Sequence, residues 1–74
     1  MLYSYQIKQG IVYDEEMAAH TTWGVLASEN GTEVLCVPDI FLDRERAESF
    51  VEKCNKSQLS PIHLMDVIED ALAE

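Results

Sequence analysis

Across residues 2–8 the chain alternates, with Tyr3, Tyr5 and Ile7 on one side and Ser4, Gln6 and Lys8 on the other. A period of two is the mark of a strand with one buried face. Gly10 interrupts the alternation and predicts a bulge, after which Ile11, Val12 and Tyr13 resume the strand. Residues 14–19 open with three consecutive acids, Asp14, Glu15 and Glu16, and read as a connection containing a short helical turn.

The dipeptide Asn30-Gly31 between two apolar runs predicts a tight hairpin, because a type I′ turn needs positive φ at both central residues. A two-residue turn there pairs residues whose numbers sum to 61: Ala27 with Val34, Leu26 with Leu35, Val25 with Cys36 and Gly24 with Val37. One face then holds Trp23, Val25, Ala27, Val34 and Cys36, and the other holds Gly24, Leu26, Leu35 and Val37. The Trp23 face is expected to meet the helices. The Leu26, Leu35 and Val37 face is left as surplus apolar surface that needs another cover. Pro38, which cannot donate to a ladder, is expected to end this strand.

Helical periodicity begins after Asp43, a good N-cap, and runs to about Ser57 with Ala47, Phe50, Val51 and Cys54 on the core stripe. Arg44 with Glu48 and Glu52 with Lys56 form four-residue charge pairs on the solvent side. After a turn at residues 55–58, Leu59-Ser60-Pro61-Ile62-His63-Leu64 specifies a second helix start. Ser60 is placed to cap, Pro61 falls at the first helical position, and Leu59 can pack on Leu64. That helix is expected to run to about Leu72 and to bury Leu64, Met65, Ile68, Ala71 and Leu72. Together these elements predict a single α+β domain over residues 1–74, a three-stranded antiparallel meander followed by a two-helix hairpin packed on one sheet face, in the order βββαα.

The chain has 74 residues, 47% of them hydrophobic, with 14 Asp and Glu against 5 Lys and Arg, for a net charge of −9. That hydrophobic share excludes a disordered acidic tail, and the charge disfavours direct contact with nucleic acid or an anionic membrane. A domain this short buries barely enough apolar surface to offset its conformational entropy, which makes association with a protein partner or a second copy a natural supplement. No targeting signal and no apolar stretch of spanning length is visible, so a cytoplasmic location is expected. Cys36 and Cys54 match neither a redox pair nor a zinc set and read as reduced core thiols.

The run over residues 55–70, with Leu59-Ser60-Pro61-Ile62-His63-Leu64 followed by Asp66-Val67-Ile68-Glu69-Asp70, resembles a small uncharacterised family of clostridial-type bacteria, a domain of unknown function. Asp43-Arg44-Glu45-Arg46 and Trp23-Gly24-Val25 share the resemblance, which covers nearly the whole chain and is most specific in the second helix. Ile40-Phe41-Leu42 departs from the family pattern, in which short polar residues precede the first helix. The resemblance implies a cytoplasmic bacterial protein and carries no activity or catalytic residue.

Chemistry-bearing residues are sparse. His63, Asp66 and Asp70 fall along one helical strip, with Glu69 nearby, and form the candidate ligand set for a hard divalent ion. A cysteine nucleophile would need Cys36 or Cys54 beside His20 or His63, yet both thiols fall on expected core faces where they are inert. There is no phosphate loop and no nucleophile elbow. Trp23, Tyr3, Tyr5 and Tyr13 are candidate interface anchors as well as core aromatics, and an edge strand carrying Tyr3 and Tyr5 is a pairing surface in its own right. The resulting expectation is a non-enzymatic interaction module without cofactor, self-associating through the sheet by Leu26, Leu35 and Val37. Its rivals are an acidic decoy for a basic, nucleic-acid-binding surface on a partner, and a metal-binding accessory protein using His63, Asp66 and Asp70.

Overall fold

The computed structural model describes residues 2–73. Strands β1 (Tyr3–Tyr13), β2 (Ala19–Glu29) and β3 (Thr32–Phe41) form one antiparallel sheet in the order β1-β2-β3. They are followed by helix α1 (Arg44–Ser57), a 3₁₀ turn (Pro61–His63) and helix α2 (Leu64–Leu72). The βββαα order and the α+β class expected from the sequence are the ones found.

The β1–β2 ladder is unbroken from Tyr3 opposite Glu29 to Tyr13 opposite Ala19. Gly10 lies within it opposite Thr22, so the bulge expected there is absent. At the far end the Asp14 carboxylate accepts the Glu16 and Ala18 N–H groups, each at 2.9 Å, and holds a turn in which Met17 takes φ 64°. The acidic run thus serves the turn through side-chain capping of backbone donors.

The β2–β3 hairpin starts as predicted. Asn30 and Gly31 both have positive φ, at 51° and 85°, and Glu29 and Ser28 face Thr32 and Glu33. The register then shifts, and Ala27, Leu26 and Val25 face Leu35, Cys36 and Val37 rather than Val34, Leu35 and Cys36. One extra residue reverses the parity of everything after it. Leu35 and Val37 therefore pack against the core beneath the helices, while Cys36 moves to the outer face beside Leu26. Pro38 does not end the strand. A second irregularity, with Asp39 at φ 56°, carries the chain on to place Phe41 opposite Trp23. Gly24 permits this crossing, because a Cβ there would collide with the Val37 carbonyl oxygen and come within 2.7 Å of Pro38 Cα.

The core joins Tyr5, Val25, Ala27 and Phe41 of the sheet to Ala47, Phe50, Val51 and Cys54 of α1 and to Leu64 and Ile68 of α2. Phe41 and Phe50 meet at 5.5 Å between ring centroids, tilted by 53°. Asp43 caps α1 by accepting the Glu45 N–H at 3.0 Å. The start of the second helix differs from expectation: residues 61–63 wind as a 3₁₀ turn, and the Ser60 side chain makes no capping bond. The Ser60 carbonyl instead accepts the His63 N–H at 2.9 Å. On α2, Leu64 and Ile68 are buried and Ala71 half-buried, while Met65 and Leu72 are exposed, because one narrow stripe suffices for a helix of nine residues at the rim of the core.

Candidate functional site

Helix α1 crosses the sheet obliquely. Its first turn lies over β2, where the Arg44 guanidinium is 5.4 Å from the centre of the Trp23 ring. Its last turn reaches the outer edge of β1. There the Asn55 side-chain amide accepts the Tyr5 N–H at 2.7 Å and donates to the Tyr5 carbonyl at 2.9 Å. One turn on, the Gln58 amide accepts the Tyr3 N–H and donates to the Tyr3 carbonyl, both at 3.0 Å. Two side-chain amides thus reproduce the paired donor and acceptor of a neighbouring strand, closing the edge over its first residues.

Gln58 makes this contact from the left-handed position that ends α1, at φ 50°. Glycine is the usual occupant of such a position, and any other residue there costs on the order of 1 kcal/mol. A glycine would have no amide to offer Tyr3. The Tyr5 hydroxyl adds a third tie across the same edge by donating to the Leu59 carbonyl.

Beyond Tyr5 the edge is open. Because β1 pairs with β2 without a break, alternate residues turn their N–H and C=O groups outward, and Tyr3 and Tyr5 fix which ones: Ile7, Gln9, Ile11 and Tyr13. Among the described residues no group takes up these donors and acceptors. Beside Ile7, α1 diverges toward Trp23 and leaves a groove of about 660 Å³, with Tyr5, Ile7 and Val51 in its apolar floor and Arg44, Glu48, Glu52 and Lys56 as its charged walls. Arg44 and Glu48 are themselves paired at 2.8 Å. Past the groove the β1–β2 ribbon leaves the core, and Ile11, Tyr13 and Met17 are 59%, 65% and 76% exposed.

The residues singled out from the sequence are distributed differently. Leu26 lies on the outer face, whereas Leu35 and Val37 face the helices, so the bulge removes the shared surface expected of these three. Near the middle of the outer face the apolar side chains are Leu26 and Cys36, with Val34 at the bulge and polar Ser4, Gln6 and Ser28 around them. His63 belongs to the 3₁₀ turn and Asp66 and Asp70 to α2, all three exposed. Among the described residues no three His, Cys, Asp or Glu side chains converge on a point that could hold a metal ion.

Three electrostatic features bear on the site and its surroundings. Burial, aided by Cys54 and Tyr3 nearby, pushes the Tyr5 hydroxyl up to about 12, so it is a donor throughout the neutral range. Burial also raises the Cys54 thiol, which keeps it protonated and unreactive. At the ribbon tip, the hydrogen bond from His20 at 3.0 Å, together with the Ala18 and Glu16 amides, lowers the Asp14 carboxyl below the usual range. Sequence reasoning named the edge carrying Tyr3 and Tyr5 as a pairing surface but missed Asn55 and Gln58, which lie 50 and 55 residues away from their partners and carry no local signal.

Among the described residues no helix is long and apolar enough to cross a membrane. No curated protein and no solved structure matches the chain. A family of unknown function, DUF6514, matches it over residues 1–74, and the chain belongs to that family.

Proposed function

We propose that this protein is a non-enzymatic protein–protein interaction module of the bacterial cytoplasm that associates through its sheet, along the edge of β1 over residues 7–13. The observation that carries the reading is the contrast within one strand. Tyr3 and Tyr5 have their edge closed by Asn55 and Gln58, whereas Ile7, Gln9, Ile11 and Tyr13 present theirs open, with a groove beside Ile7 at the start of that stretch. Proteins that keep an edge strand to themselves cover it, shorten it or charge it. Here the cover stops at Tyr5, and Ile7, the first open residue, shares the groove with Tyr5 and Asn55. An extended segment added there gains main-chain hydrogen bonds from the edge and side-chain contacts from the groove. The two free cysteines and the resemblance to clostridial-type proteins support the cytoplasmic part of the reading.

A photo-crosslinking residue at position 9, compared with one at exposed Lys53 on α1, tests this in cells making the full chain. Adducts to a polypeptide from position 9 and none from position 53 are expected. Absence of any adduct from position 9 rejects the reading. The acidic decoy is a second reading, favoured by the net charge of −9. Its complex weakens steeply as salt rises, which association through an edge and an apolar groove does not.

A further inference from the structure

We infer that the occupant of the open edge is a second copy of this chain, whose β1 pairs antiparallel with the first to make one continuous six-stranded sheet. The inference rests on the interaction reading above and names the partner. Self-pairing is compatible with the edge because its outward groups are all on odd-numbered residues, Ile7, Gln9, Ile11 and Tyr13. A two-fold axis at Gly10 sets Ile7 opposite Tyr13 of the second copy and Gln9 opposite Ile11 of the second copy. Every such pair is of the kind that exchanges both N–H and C=O. The pairing ends where it must, at Ile7 on one side, since the next outward residue, Tyr5, is already held by Asn55.

The side chains fit as well as the backbones. Residues of β1 that face outward along the edge also lie on the helix side of the sheet, with Tyr5 and Ile7. In this register Tyr13 of the second copy stands beside Ile7, at the groove floored by Ile7 and Val51. Ile11 and Tyr13, 59% and 65% exposed in the single chain, thereby find the apolar surface they lack. The acidic tip of the second copy, Asp14, Glu15 and Glu16, follows Tyr13 toward the end of the groove where Lys56 is placed. The groove carries Glu48 and Glu52 as well as Arg44 and Lys56, and each chain has a net charge of −9, so repulsion opposes the pairing and the association tightens as salt rises.

The test begins with the mass of the full chain by sedimentation and light scattering over a wide concentration range, with a dimer expected. Gln9→Pro removes an N–H that points away from β2, so the β1–β2 ladder survives and the monomer keeps its circular dichroism. The variant is expected to weaken dimerisation at least ten-fold. Ile11→Lys, at an exposed position, is expected to do the same should the proline variant unfold. Lys8 and Val12 of the second copy fall opposite each other in this register. In a Cys36→Ser background, mixed Lys8→Cys and Val12→Cys chains should therefore join by a disulfide, while Lys8→Cys alone does not.

A dimer that ignores both substitutions, or one that gives no mixed disulfide, overturns the inference. So does a monomer at every concentration. If that monomer still crosslinks from position 9 to another polypeptide, the interaction reading stands without the second copy; if it does not, both fall.

Discussion

The β1–β2 hairpin keeps one register from Tyr3 opposite Glu29 to Tyr13 opposite Ala19, whereas the β2–β3 hairpin changes register twice between Glu29 and Trp23. The two share β2, so the contrast belongs to the outer strands. Regular pairing makes a straight twisted ribbon that continues past the helices, and it accounts for much of the elongation of the molecule, 45 by 27 by 19 Å. Irregular pairing bends β3 over Gly24 and returns Phe41 to the core against Phe50. Bulges keep the end of one hairpin inside the protein. Their absence sends the end of the other out, with Ile11 and Tyr13 uncovered.

The glycines separate the two hairpins most sharply. Gly24→Ala drives a methyl into the Val37–Pro38 backbone and should cost about 3 kcal/mol by denaturant unfolding. Gly10→Ala in the regular hairpin meets only the Thr22 hydroxyl at 3.3 Å and the Asp39 carboxylate at 3.7 Å, and should change stability by less than about 1 kcal/mol. Equal losses at the two positions would mean that the crossing over Gly24 is not the device that bends β3.

The closed part of the β1 edge gives the next largest effect. Asn55→Ala strips both partners from the half-buried Tyr5 backbone and should cost about 2 kcal/mol, with faster hydrogen exchange at the Tyr5 amide and no change at Gln9. Exchange that quickens equally at both amides would show that the strand has no division into closed and open halves.

Tyr5→Phe should cost about 1 kcal/mol by losing the bond to the Leu59 carbonyl. In the wild type the Tyr5 hydroxyl ionises near 10 when unfolded and near 12 when folded. Its contribution is complete below pH 10 and declines as pH rises from 10 to about 12, because only the unfolded chain loses the proton in that interval. The phenylalanine variant should lack that part of the alkaline decline in a pH series of thermal melts.

Much of the fold was legible because its signals are local. Asn30-Gly31 sets the hairpin, Asp43 caps α1, and Ala47, Phe50, Val51 and Cys54 are the buried stripe at the expected spacing. The register of β3 was not, since Val34, Leu35, Cys36 and Val37 are all apolar and a slip by one residue leaves an equally plausible pattern. Pro38 reads as a terminator until Asp39 is seen in the left-handed region, letting the chain step over Gly24 and resume. The candidate site was legible only in part. Alternation at Tyr3, Tyr5 and Ile7 announces a strand with one buried face, but its place at the edge and the point where its cover stops depend on the sheet order and the reach of Asn55 and Gln58, which no local pattern records.

Asn55 and Gln58 also set an order of events in the birth of the protein. A chain made from its N-terminus completes all three strands before either amide has been synthesised, so the nascent sheet meets the cell with the whole of its first edge bare. Contacts this distant in sequence form late, after the entropy of closing a long loop has been met. Until then nothing distinguishes Tyr3 and Tyr5 from Gln9 and Ile11 as pairing surface, and neighbouring chains on one messenger are the nearest strands available. The last turn of α1 is therefore the part of the chain that must be synthesised before Tyr3 and Tyr5 can differ from Gln9 and Ile11 along the edge.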